Sequence, residues 1–172
     1  MLFRSRANLA TYNNWTTYHK DLSTNYHLYL NTSDAEQNGV GDYFRDAAFS
    51  STVIGLGNDI YGVNVNNTTM VAYCFTSISG YQKVGKYTGT GVSGLEVSLS
   101  FSPRFLLVKG VGATGWILID SQRGSKELYA NLSDGEDASA TAFVLGTNKF
   151  TVNSTGTWHN SYDVDYIYLA IK

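Results

Sequence analysis

Cysteine and proline are nearly missing from this sequence, and so are long apolar runs. A single cysteine rules out a disulfide framework, so the stability of the fold must come from a hydrophobic core. Cys74 lies in the apolar run 70–75, where we expect it to be a small buried residue. No apolar stretch approaches the ~18 residues of a membrane-spanning helix, and no signal-peptide pattern opens the chain. The sequence therefore predicts no membrane insertion.

Charge of either sign is also scarce. Charged residues make up 15% of the chain, and 12 Lys and Arg against 14 Asp and Glu give a net charge of -2. Proteins that bind nucleic acid or anionic membranes usually carry a basic patch or stripe, and this sequence has none. The composition therefore argues against nucleic acid as a partner.

Tyrosine, glycine and short polar residues are abundant instead. The chain has 13 tyrosines and 17 glycines, a composition typical of strands joined by turns. Residues 95–101 alternate between apolar and polar, which predicts a strand with one face in solvent. Residues 105–108 and 116–119 are apolar at every position, which predicts central strands covered on both faces. We therefore predict an all-β protein without long helices.

One pattern occurs twice along the chain. Asn-x-Ser-Asp-x-Glu stands at 31–36 and again at 131–136, so we interpret residues 1–79 and 80–172 as two halves built on one repeat. Each half is too short and too rich in strands to bury its own faces. We therefore expect a single domain, a two-sheet antiparallel β-sandwich of jelly-roll type with one shared core. The strand at 81–88 has no counterpart in the first half, so we expect the native N-terminus to lie upstream of Met1.

Several motifs resemble the repeat units of bacteriophage tail-fibre and other virion proteins. They are Tyr-Thr-Gly-x-Gly at 87–91, Phe-Ser-Pro-Arg-Phe-Leu-Leu-Val-Lys at 101–109, Trp-x-Leu-x-Asp-Ser-x-Arg-Gly at 116–124, Asn-x-Ser-Asp-x-Glu at 131–136 and a terminal Tyr-Ile-Tyr-Leu-Ala. Those units are similar to SPRY-like and concanavalin-A-like jelly rolls. The resemblance covers nearly the whole chain, and it implies a jelly-roll sandwich carried on a virion.

Carboxylates cluster at equivalent places in the two halves. Asp34 with Glu36, and Asp134 with Glu136 and Asp137, could serve as the acid and base of a glycosidase. Both clusters sit in turn sequences, and nothing in the sequence brings them to a defined separation, which favours turn or capping roles. The second cluster also offers hard oxygen ligands for calcium, although no EF-hand spacing accompanies it.

Other catalytic and metal-binding patterns are missing. His19, His27 and His159 lack the H-x-x-x-H or H-x-H spacing of a zinc site. Ser121 lacks the glycine-flanked turn that exposes a nucleophilic serine. We therefore predict no catalytic residue and no cofactor.

The loop around Trp158 is the strongest candidate for a binding surface. Trp158 stands among Ser, Thr, Gly, His and Asn with no apolar neighbour, so we expect an exposed ring. Such a ring could stack on a sugar while polar groups bind the hydroxyls, and a loop-anchoring or subunit-interface role is the alternative. The residues predicted to bind the ligand are Trp158, His159, Asn160, Asn131, Asp134, Asn31 and Asp34.

These observations together predict a non-catalytic module of a phage virion, a tail-fibre or receptor-binding domain whose loops recognise a host-surface glycan. Weak binding per site would be strengthened by many copies on one particle. The structural alternative is a capsid-decoration or fibre-shaft domain that contacts other virion proteins, and the enzymatic alternative is a glycan depolymerase. A homo-oligomer fits each of these settings.

Overall fold

The fold was obtained as a computed structural model that describes residues 2–7, 14–39, 43–44, 49–50, 52–57 and 63–172. Across these ranges the chain forms thirteen β-strands and no helix, so no helix there could span a membrane. The strands are β1 (Leu2–Ala7), β2 (Thr16–His19), β3 (Tyr26–Tyr29), β4 (Gln37–Asn38), β5 (Met70–Phe75), β6 (Gln82–Thr88), β7 (Leu95–Ser98), β8 (Phe105–Gly110), β9 (Trp116–Asp120), β10 (Leu128–Tyr129), β11 (Phe143–Gly146), β12 (Lys149–Val152) and β13 (Asp165–Ile171).

The strands form three antiparallel sheets. The first sheet has the order β4-β3-β2-β1-β5, the second β10-β9-β8-β13-β6 and the third β11-β12-β7. The structure confirms the predicted all-β class and the antiparallel sandwich. It contains three sheets rather than two, because the second sheet is covered on both of its faces.

The central position of the second sheet follows from the side chains of β8 and β9. Successive side chains of a strand point to opposite faces, so a strand that is apolar throughout needs cover on both sides. Leu106 and Ile117 pack with Phe150 in the cluster between the second and third sheets. Trp116 packs with Leu28 in the cluster between the second and first sheets. The predicted central strands are confirmed.

Buried apolar residues form separate clusters rather than the single shared core that we predict from the sequence. The largest cluster draws only on the second half, from Tyr87 to Ala170. A cluster around Tyr18 and Phe44 belongs to the first half. The halves meet in two smaller clusters between the first and second sheets. The apolar packing between the halves is therefore divided between two clusters, and the expectation of a single domain stays a prediction.

The same local hydrogen bond occurs within each half at the repeated motif. The Trp15 backbone N–H donates to Asn31 Oδ1 at 2.7 Å, and the Trp116 backbone N–H donates to Asn131 Oδ1 at 2.8 Å. A side chain in the turn thus fixes the start of the preceding strand in both places. These matched bonds support the repeat, which stays a prediction.

β5 lies at the edge of the first sheet. Its four middle side chains are exposed, and they include Cys74, which the sequence predicts to be buried. That prediction is wrong because both faces of β5 are exposed, with Val71 and Tyr73 on one face and Ala72 and Cys74 on the other. An apolar run does not reveal whether its strand has one neighbour or two.

Candidate functional site

Trp158 lies in the loop that joins β12 to β13. Its ring packs against the main core and meets Tyr129 edge-on, with ring centroids 5.6 Å apart. The backbone of Gly115 approaches the other side so closely that an added Cβ would lie 2.7 Å from a ring carbon. The predicted exposed ring is therefore wrong, and Trp158 anchors its loop, as in the alternative role.

Asn160 is fully buried and holds two loops together. Its Oδ1 accepts a hydrogen bond from the Thr90 backbone N–H at 2.7 Å. Its Nδ2 donates to the carbonyls of Val92 at 2.7 Å and Ser154 at 3.0 Å. The amide has no polar atom left to offer a ligand, so the predicted binding role of Asn160 is wrong.

The other predicted residues lie in turns. The Oδ1 atoms of Asn31 and Asn131 are engaged by the tryptophan backbones, as described above. Asp34 and Asp134 are exposed and belong to different halves. The structure does not gather these four residues at one pocket, which favours the turn roles that we weighed for the repeated motif.

The calcium candidate is not assembled. Glu136 Oε1 lies 3.1 Å from Lys126 Nζ, while Asp137 Oδ1 accepts hydrogen bonds from the Ser139 hydroxyl at 2.7 Å and the Ser139 backbone N–H at 2.9 Å. These bonds from Ser139 lower the pKa of Asp137. Over the described ranges, no three His, Cys, Asp or Glu side chains are grouped to hold a metal, and Asp134, Glu136 and Asp137 form no such group.

A polar pocket of about 460 Å³ opens beside the Trp158 loop. We call it the Glu127 pocket and define it by six of its polar lining side chains, Glu127, Tyr129, Asp137, Ser139, Ser154 and His159. They come from three places: the start of β10, the turn after it and the loop after β12. Of the seven residues predicted to bind a ligand, only His159 lines this pocket.

A chain of polar contacts runs along the pocket. Ser154 Oγ lies 3.2 Å from His159 Nδ1, and His159 Nε2 lies 3.3 Å and 3.4 Å from the two oxygens of Glu127. The Tyr129 hydroxyl donates to Glu127 Oε2 at 3.1 Å. Burial and the Glu127 carboxylate raise the pKa of Tyr129 to about 12, so this hydroxyl keeps its proton at neutral pH.

Glu127 is the residue that sequence reasoning missed. Its side chain is almost completely buried, at 1% exposure. Glutamates are almost never buried to this degree unless they are paired, and Glu127 is paired with Tyr129 and His159. Its backbone pairs with Asp137, with N···O distances of 2.9 and 3.3 Å, which brings both carboxylates to one pocket. Strand alternation was the available signal, because it places Glu127 on the same face as Tyr129.

The arrangement suits a ligand that carries several hydroxyl groups. The rim offers the exposed Ser139 side chain, and the half-buried wall offers Asp137, Ser154 and His159. A hydroxyl both donates and accepts, so it can bond a carboxylate and an imidazole together. The volume lies within the usual range for small-molecule sites, roughly 300–1,000 Å³.

No curated protein and no solved structure matches this chain. One family model does match, and its match extends over residues 1–172. Because that match spans the full chain, the protein belongs to the family described as a domain of unknown function, DUF7483.

Proposed function

We propose that this protein is a non-catalytic module that binds a carbohydrate in the Glu127 pocket. The observation that carries the proposal is the convergence of polar side chains there, with the Glu127 carboxylate held by Tyr129 and His159. Sugar-binding sites need donors and acceptors fixed in place, because loose side chains lose entropy on binding. The buried Glu127 carboxylate is fixed in place by its contacts with Tyr129 and His159.

Packing behind the pocket supports the same proposal. Tyr129 lines the pocket and is braced by the edge of Trp158, and the buried Asn160 fixes the loop that carries His159. The tryptophan therefore acts on the ligand site through Tyr129 rather than by touching the sugar. A site held in this way is already formed before the ligand arrives, which lowers the cost of ordering it.

The setting that we propose is a phage virion, where the module would present the pocket to a host-surface glycan as part of a tail fibre. This rests on the resemblance of the motifs at 87–91 and 116–124 to virion repeats. Weak binding at each pocket would be multiplied by the number of modules on the particle.

A glycan array followed by calorimetry tests the proposal. We expect the wild-type protein to select an oligosaccharide, and Asp137→Asn and Ser139→Ala each to weaken its affinity about tenfold, the loss of one hydrogen bond worth about 1.4 kcal/mol. Asp134→Asn is the matched control, because Asp134 is an exposed carboxylate of the same turn outside the pocket. The control should bind like wild type.

Two results would contradict carbohydrate binding in this pocket. One is an array on which the folded wild-type protein selects no glycan. The other is a selected glycan whose affinity is unchanged in both pocket variants or is lowered equally by Asp134→Asn.

A glycan depolymerase is the second candidate, because Glu127 and Asp137 bring two carboxylates to one pocket. Glycosidases place an acid and a base or nucleophile on either side of the scissile bond. Incubation of the selected oligosaccharide with the protein separates the candidates. New reducing ends that disappear in Glu127→Gln would establish the enzyme, whereas binding without new reducing ends would establish the non-catalytic module.

A further inference from the structure

The first and second sheets share the order of four strands and differ at both edges, because β4 lies beyond β3 in the first sheet and β6 lies beyond β13 in the second. The run β3-β2-β1-β5 in the first sheet parallels β10-β9-β8-β13 in the second. In the second sheet, the next position is filled by β6, which pairs with β13 along seven residues. In the first sheet, no strand from the described ranges fills the position beyond β5. The backbone edge of β5 therefore lacks a strand partner there.

β5 also lacks the features that normally protect an edge strand. Natural edges carry lysine, proline or a bulge, or are very short, because these prevent pairing with another chain. β5 has six residues with no charge, proline or glycine, and Val71 and Tyr73 are 49% and 52% exposed. By contrast, β6 carries Lys83 and Lys86, β7 carries a glutamate, β11 is short and ends in glycine, and β4 has two residues.

We propose that β5 is a dimer interface, in which two chains pair their β5 strands antiparallel about a two-fold axis and join their first sheets. Pairing about a two-fold axis sets each strand against itself, so it suits a strand without charge, where no like charges meet. The opposite edge of the first sheet is the two-residue β4, which is too short to extend the assembly. The association therefore closes at the dimer.

Dimer formation would pair the outer backbone edge of β5, where no strand of the described ranges lies, and would cover its exposed side chains. Val71 and Tyr73 lie on one face of the strand and Cys74 lies on the other, so both faces gain cover from the partner strand. One pair of six-residue strands makes a small interface, of the class below about 1,200 Å² that forms weak complexes. The dimer should therefore dissociate on dilution in the micromolar range.

Sedimentation equilibrium from about 1 to 500 µM tests the proposal in the range expected of weak interfaces. We expect wild type to move from monomer to dimer as concentration rises, and Val71→Lys to remain monomeric at least tenfold beyond the wild-type midpoint. Cys74→Lys, on the opposite face, should act in the same way. Val144→Lys is the matched control, since Val144 is 44% exposed on the edge strand β11 of another sheet, and it should dimerise like wild type.

A cysteine scan fixes which strand pairs with which. In a Cys74→Ser background the chain has no other thiol, so Ala72→Cys and Tyr73→Cys each report on their own counterparts, while the wild-type chain reports on Cys74. A disulfide needs Cα atoms about 4.4–6.8 Å apart, so only a position at the two-fold axis should cross-link efficiently under mild oxidation. Val92→Cys, in an exposed loop, should not cross-link.

Three results would overturn the interface. The first is a wild-type protein that stays monomeric throughout the concentration range. The second is dissociation of the dimer by Val144→Lys but not by Val71→Lys or Cys74→Lys, with circular dichroism confirming that the variants are folded. The third is efficient cross-linking through Val92→Cys with none along β5.

Discussion

His27 gives the protein a pH-dependent stability that can be worked out from its surroundings. This residue of β3 is 2% exposed and its ring stacks on Tyr43 with centroids 3.9 Å apart. It also meets Tyr29 in an edge-to-face arrangement, with ring centroids 5.0 Å apart. Neither ring nitrogen has a hydrogen-bond partner in the described part of the chain. Burial without a partner disfavours the charged form, and it lowers the pKa of His27 from 6.5 to about 4.

The sign and size of the effect follow from proton linkage. Between the two pKa values, the unfolded chain holds a proton on His27 that the folded protein does not, so acid favours unfolding. His27 therefore costs nothing at pH 8. Its contribution to the free energy of unfolding falls by about 2 kcal/mol at pH 5 and by about 3 kcal/mol at pH 4.

Urea denaturation followed by tryptophan fluorescence at pH 8 and pH 5 measures this difference. With an m-value of about 2 kcal/mol per molar urea, the His27 share lowers the midpoint by about 1 M. In His27→Gln the difference in urea midpoint between pH 8 and pH 5 should be smaller by that amount. This holds whatever effect the substitution has on stability at pH 8. His19, whose pKa burial lowers to about 3, supplies a further loss of the same sign.

Tyr29→Phe is the matched control for His27→Gln. It alters a ring that touches His27 and removes a hydroxyl that lies 2.8 Å from the Tyr43 hydroxyl, without removing a group that titrates in acid. It should lower stability at both pH values and keep the wild-type difference between them. A His27→Gln variant with an undiminished difference would refute the assignment of a buried, neutral imidazole.

Three further predictions are each tested by measuring the free energy of unfolding in urea. Two concern buried polar side chains, and the third concerns a glycine that is packed against the backbone of another loop. Asn160→Ala should cost about 2–4 kcal/mol, because it leaves the Thr90 N–H and two carbonyls without their partner. Lys109→Met should cost a similar amount, about 2–4 kcal/mol, because the fully buried ammonium donates to the carbonyls of Gly110 and Gly112 at 2.6 and 2.7 Å. Gly89→Ala should cost about 2 kcal/mol or more, because its Cβ would clash with the backbone oxygen of Ser161. A loss below about 0.5 kcal/mol, the size of an ordinary surface change, would contradict the contact concerned.

Strand type was predictable where the pattern of side chains reflects the number of covered faces. Leu95–Ser98 forms β7 with Val97 buried and Glu96 exposed, as its alternation predicts. The apolar runs at 105–108 and 116–119 became central strands because each needed cover on both faces. In these strands the order of apolar and polar residues alone indicates which side chains are buried.

The sequence did not reveal features that depend on contacts between distant parts of the chain. Trp158 has only polar neighbours in sequence, yet Gly115 and Tyr129 close around its ring. β5 is as apolar as β13, and only sheet order distinguishes the exposed edge from the buried interior. Alternation places Glu127 beside Tyr129, with which it is hydrogen-bonded, but the contact with His159 joins residues 32 positions apart and has no local signal in the sequence.

The most direct test of the account is to map a bound carbohydrate on the protein by backbone amide NMR. A titration with the oligosaccharide selected on the array should shift the amides of residues 127–129, 137–142 and 153–159, which surround the Glu127 pocket. The same titration should leave residues 31–36 and 70–75 unmoved. Shifts confined to those other residues, or none at a saturating concentration of the oligosaccharide, would contradict the claim that the Glu127 pocket is the binding site.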